Sequence, residues 1–147
     1  MKPALLISKC LTGAACRYDG RDNRVDLGDL GRHYTLIPVC PEQLGGLPTP
    51  RTPAERRGDR VVARDGRDVT DAFRLGARRT AALAAQCGAR CALLKARSPS
   101  CGTREIHDGT FSGAVVPGMG LAAECLRDMG LALYDESQIE ELDIKEH

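Results

Sequence analysis

The sequence has no tryptophan and only five aromatic residues, three Tyr and two Phe, so its apolar content rests largely on Ala, Leu and Val. Aliphatic side chains of this kind suit helices packed on a parallel sheet. A long hydrophobic run is also missing. The N-terminal "MKPALLISKC" holds an apolar stretch far shorter than the ~20 residues a membrane span needs, and no small-residue cleavage site follows it. A soluble, cytoplasmic protein with no membrane partner is expected. Charge of one sign is lacking too: 21 basic and 20 acidic residues give a formal net charge of +1, with both signs spread along the chain. Bulk electrostatics therefore supplies no reason for a stable nucleic-acid complex or a membrane surface, and a small-molecule partner is favoured. With no repeat, linker or low-complexity segment, residues 1–147 read as one domain of a length that supports a real core.

The apolar runs are short and separated by turn-forming residues. "ALLIS" (4–8), "YTLIPVC" (34–40), "CALLKA" (91–96) and "LALYD" (131–135) read as buried strands, with Pro38 favouring an edge position or the last paired residue of the second. The clearest helix runs from Thr70 and Asp71, with Phe73, Ala77, Thr80, Leu83, Ala84 and Cys87 near one face and Gly88 as its C-terminal cap. A weak helix is expected in "VDLGDLGRH", another around "MGLAAECLRDMG", and a short one in "SQIEEL" introduced by Ser137. Val61, Val62 and Val69 flank Asp65 and Gly66, which predicts a small two-stranded hairpin excursion. Strands alternating with helices give an α/β fold class: a Rossmann-like three-layer domain with a mainly parallel sheet. The stretch after Cys40, with Gly45, Gly46, Pro48, Pro50 and Pro53, reads as a stiff, non-repeating loop, and "RSPSCGTREIHDGTFSG" as another loop. The final "EELDIKEH" reads as a solvated end.

Seven cysteines form an odd set without a secretory leader, which argues against a disulfide framework and towards metal or catalytic thiols. Cys87, Cys91 and Cys125 fall on helix faces or in a strand and behave as small apolar residues. Cys10, Cys40 and Cys101 instead follow the first three strands, and the functional crevice of an open parallel sheet lies outside its carboxyl ends. No CxxC pair is present, so structural zinc is disfavoured; three thiolates from three loops suit a 4Fe-4S cluster with one iron free to act as a Lewis acid. Other readings of the same residues stay open: buried or redox thiols in a sensor or a binding module for thiolated RNA, and for Glu42 a helix cap or a surface ion pair with Arg17 or Arg51. Arg17 and Tyr18 have the types to stack on a base, although loop packing explains them equally. His33 and His107 have no metal-ligand spacing and read as surface or loop residues.

Four stretches in order, "ISKCLTGAACRYDG", "VCPEQLGGLPTPR", "KARSPSCG" and "DGTFSG", resemble the successive signatures of the thiouracil desulfidase family, from about Leu5 to Tyr134. The resemblance implies a non-redox enzyme that removes sulfur from thiouracil or a related thiolated nucleobase or nucleoside. It implies a 4Fe-4S cofactor bound by Cys10, Cys40 and Cys101, whose open iron takes the sulfur as hydrosulfide. It also implies Cys16 and Glu42 as the catalytic pair. On that basis Glu42 is the base that activates water, and Cys16 relays a proton or orients the water, with a fourth ligand or a loop thiol as its other readings. Ser100, beside Cys101, is a candidate to hydrogen-bond the substrate.

Overall fold

The computed structural model describes residues 2–145. Its centre is a four-stranded parallel sheet built from β1 (Ala4–Ser8), β2 (Thr35–Val39), β5 (Cys91–Leu94) and β8 (Ala132–Asp135), in the order β2-β1-β5-β8. Leu5, Leu6 and Ile7 of β1 are each 0% exposed, as a continuous apolar run must be when helices cover both faces. On one face Leu6, Ala92 and Leu94 pack with Ala84 of α3 (Thr70–Cys87) and with Ala123 and Leu126 of α4 (Leu121–Asp128). On the other, Leu5, Ile7 and Leu93 pack with Leu30 of α1 (Leu30–His33) and Leu142 of α5 (Ile139–Lys145). The three layers and the parallel sheet match the expectation, and β2, the strand carrying Pro38, lies at an edge. Among the described residues no helix is long and apolar enough to cross a membrane.

α3 buries Phe73, Ala77, Thr80 and Ala84 along one stripe, and Gly88 ends it in the left-handed region at φ 68° with its N–H on Ala84 and Ala85 carbonyls. Thr70 does not cap this helix. Its hydroxyl accepts from the Val61 N–H at 2.8 Å, while its own N–H is taken by the Asp68 carboxylate at 2.9 Å. Ser137 is likewise not the cap of the last helical segment; Asp135 caps the 3₁₀ turn Glu136–Gln138 through a capping box with Gln138. The C-terminal stretch is not merely solvated, since α5 buries Leu142; Glu146 and His147 lie outside the described residues.

Two hairpins flank the sheet, and neither is quite the one expected. The turn at Asp65–Gly66 forms, with Gly66 at φ 91°, and Val69 N–H reaches Val61 O at 2.9 Å, but beyond it only Val62 and Asp68 bridge. The ladder partner of β4 (Arg60–Ala63) is instead β3 (Ala54–Arg57), a polar segment whose composition hides a strand. The second hairpin pairs β6 (Glu105–His107), inside the segment read as a loop, with β7 (Val115–Pro117) just beyond it; three-residue strands are too short to show a period.

The chain after Cys40 is not wholly irregular either. Pro41 opens a single helical turn, α2 (Pro41–Leu44), at the position where its missing N–H costs nothing. α2 lies against α3 so closely that a Cβ on Gly45 would collide with the Ala72 carbonyl, and one on Gly76 with the Pro41 carbonyl. Gly45 is therefore a contact residue more than a helix breaker. Gly76→Ala is expected to lower unfolding free energy by at least about 2 kcal/mol, since backbone on both sides has to move. A urea titration showing an unchanged midpoint would dismiss that reading.

Candidate functional site

Three adjacent strands of the sheet, β2, β1 and β5, each lead to a cysteine beyond the carboxyl end. β1 runs into a 3₁₀ turn, Lys9–Thr12, that carries Cys10 and is closed by Gly13 at φ 100° with its N–H on Cys10 O. β2 ends on Cys40, the residue before α2. β5 leads to a loop in which the Ser98 hydroxyl accepts from the backbone N–H groups of Ser100 and Cys101 at 3.1 and 3.0 Å. Gly120 abuts Ser100 and Cys101 so closely that no side chain fits there, which fixes the direction of the Cys101 thiol. All three cysteines line one cleft of about 390 Å³, and Cys16, Glu42 and Ser100 line it as well. The six residues singled out in the sequence are thus brought together. Cys87 and Cys91 pack against the two cores instead, and Cys125 sits half-buried on α4.

The thiols differ in character. Cys16, 3% exposed, faces both Cys10 and Cys40, and its single S–H is shared between their sulfurs. These bonds hold its own proton on, pushing the Cys16 thiol up, with burial adding to the effect. The same donation brings Cys10 down to about 7 and Cys40 down to about 6, against the opposing effect of burial; the Gln43 N–H helps at Cys40. Cys101 is the reverse case. Burial drives it up to about 12, although the hydroxyls of Ser8 and Ser100 are aimed at its sulfur, the latter at 3.7 Å.

Glu42, on α2, has both carboxylate oxygens engaged. Arg51 Nε donates to Oε1 at 3.0 Å and the Ser100 hydroxyl donates to Oε2 at 2.9 Å. The ion pair is no surface bridge, because the Arg51 side chain is 7% exposed and that of Glu42 17%. Arg51 also donates to Pro48 O, Thr49 Oγ1 and Cys16 O at 3.2, 2.9 and 2.9 Å, so one guanidinium joins the Pro-rich loop, the carboxylate and the Cys16 turn. Arg51 thereby ties Pro48 and Thr49 to the cleft, which Arg51 and Pro53 line. Sequence reading offered Arg51 only as a surface partner of Glu42; the signal it held was an arginine closing a loop stiffened by three prolines. His107, expected at the surface or in a loop, lies on β6, lines the cleft, and has its Nδ1 buried without a hydrogen-bond partner among the described residues. Arg17 stacks over Tyr18, 5.7 Å from the ring centroid, on the same lining.

Such a fold and site define a class: α/β proteins with a thiol-rich centre at the carboxyl edge of a parallel sheet, set beside a tethered carboxylate. Within it, residues 5–138 match the model of the 2-thiouracil desulfurase family, and the chain belongs to that family. It is 36% identical over 149 aligned positions, 94% of this chain and 99% of the other, to the uncharacterized protein YbbK of Bacillus subtilis (strain 168). A solved structure of the [4Fe-4S]-dependent thiouracil desulfidase TudS superposes with a TM-score of 0.93 at 41% identity, covering 98% of this chain and 97% of that one.

Proposed function

We propose that the protein removes sulfur from thiouracil or a related small thiolated pyrimidine by non-redox hydrolysis of the C–S bond, with a 4Fe-4S cluster held by Cys10, Cys40 and Cys101. The observation that carries this is the meeting of three strand-end cysteines and the Arg51–Glu42–Ser100 chain in one cleft. The donor set suits the group. Two thiols are already shifted towards thiolate, and the third is buried with two hydroxyls pointed at its sulfur, a thiol that stays protonated until a metal's charge removes the proton. Soft thiolates favour an iron-sulfur centre.

Held by Cys10, Cys40 and Cys101, such a cluster would supply a Lewis-acidic iron with an affinity for soft sulfur. The chain's own groups do the rest. Glu42 accepts the proton of a water as that water attacks the carbon bearing sulfur; the Arg51 and Ser100 bonds fix both oxygens and leave further lone pairs for the water. Cys16, a neutral thiol on the same lining, orients the attacking water and keeps its own proton. Ser100 bridges Glu42 and Cys101 and keeps carboxylate and sulfur in register. Water and thiocarbonyl become carbonyl and hydrogen sulfide with no net change in oxidation state.

Anaerobically purified protein is expected to carry about four irons and four labile sulfides per chain and to release sulfide and uracil from 2-thiouracil. Iron-free protein that releases sulfide at the same rate would sink the proposal.

A further inference from the structure

We propose that Phe111 and Arg64, carried by the two small hairpins, form the wall that receives the flat ring of the substrate, with Glu55 as the residue that positions Phe111. The inference rests on the reading of the cleft as a thiolated-pyrimidine site. The chain has two phenylalanines, and the other, Phe73, is 2% exposed in the core. Phe111 lines the cleft together with Arg64, whose guanidinium stands 5.3 Å from its ring centroid. No ion pair engages Arg64 among the described residues.

Holding Phe111 there is costly. Its φ of 57° is one a bulky residue seldom adopts. The turn is fixed by Glu55 of β3, 9% exposed, whose Oε1 accepts from the Gly109 and Phe111 N–H groups at 3.0 and 3.1 Å. A nearly buried carboxylate committed to two backbone donors is a device for placing one side chain, since an uncompensated one would not be tolerated. The chemistry follows from depth. Cys16 and Cys101 are 3% and 4% exposed, while Arg64 is exposed and Phe111 half-buried, so sulfur enters first and the ring is left against the hairpins. A pyrimidine offers a flat face to an aromatic ring and a carbonyl oxygen to guanidinium donors; an acyclic thioamide offers no such face.

The test uses the cluster-loaded full chain and uracil, the non-reacting product, with affinity read by equilibrium dialysis. Phe111→Ala and Arg64→Ala are each expected to weaken uracil binding by about tenfold or more and to raise KM for 2-thiouracil by a similar factor, with iron and labile sulfide unchanged. Glu55→Gln is expected to raise KM about fivefold while kcat moves less than about threefold, and Phe111→Tyr is expected to retain binding. Should Phe111→Ala fail to fold, Phe111→Leu, which keeps volume but loses the ring, is expected to show the same loss. Uracil affinity within about twofold of wild type in both the Phe111 and the Arg64 variants overturns the wall while leaving the desulfuration reading intact. Uracil binding that depends on Phe111 in a wild-type protein releasing no sulfide has the opposite meaning: the reaction falls and the wall stands.

Discussion

Cys101→Ala protein, purified without oxygen, is expected to be colourless, with bound iron reduced to background and no sulfide released from thiouracil. Of the three strand-end thiols Cys101 has the least freedom to be replaced. It is buried, its backbone N–H is held by Ser98, Gly120 presses on the peptide before it, and two hydroxyls converge on its sulfur. Removing one buried sulfur costs only on the order of 1 kcal/mol of packing, so circular dichroism and thermal melting of iron-free wild type and variant should nearly coincide. Cys16→Ala provides the contrast, since it is expected to keep iron and labile sulfide and to lose turnover. Iron retained by Cys101→Ala, or lost from Cys16→Ala, would reassign the ligands.

Glu42→Gln is expected to lower kcat by about 10²–10⁴-fold with cluster content unchanged. The amide is nearly isosteric with the carboxylate and still accepts from Arg51 Nε through its carbonyl oxygen, so the α2 turn and the Pro-rich wall keep their places. What it cannot do is accept the proton of an attacking water. The other contact, from the Ser100 hydroxyl to Oε2, survives by reversing its donor, because Ser100 has Ser98 Oγ within 3.0 Å as a partner. Single-turnover release of sulfide isolates the chemical step. A variant keeping a third or more of wild-type turnover would show that water is activated elsewhere.

Much of this was legible in the sequence because it is written in local signals. Continuous apolar runs ending in Gly, Pro and Asp mark strands covered on both sides, and the stripe from Phe73 to Cys87 with Gly88 behind it marks one helix. Cysteines at the ends of such strands meet at one edge for topological reasons. The failures concern contacts that no local pattern encodes. Gly45 looks like a helix breaker until α3 is seen against it. Thr70 looks like a cap, yet its hydroxyl is taken by a strand nine residues upstream. Arg51 is one arginine among many until its four side-chain hydrogen bonds are traced, and "AERR" becomes a strand only because a partner strand and the Gly109 turn need it there.

The order of the central strands, β2-β1-β5, also dictates an order of events. Metal sites made from CxxC pairs are nearly complete within a few residues and load while the chain is still forming. Cys10, Cys40 and Cys101 become neighbours only after parallel pairing has joined segments up to about ninety residues apart, so the three thiols face one another only in the finished sheet.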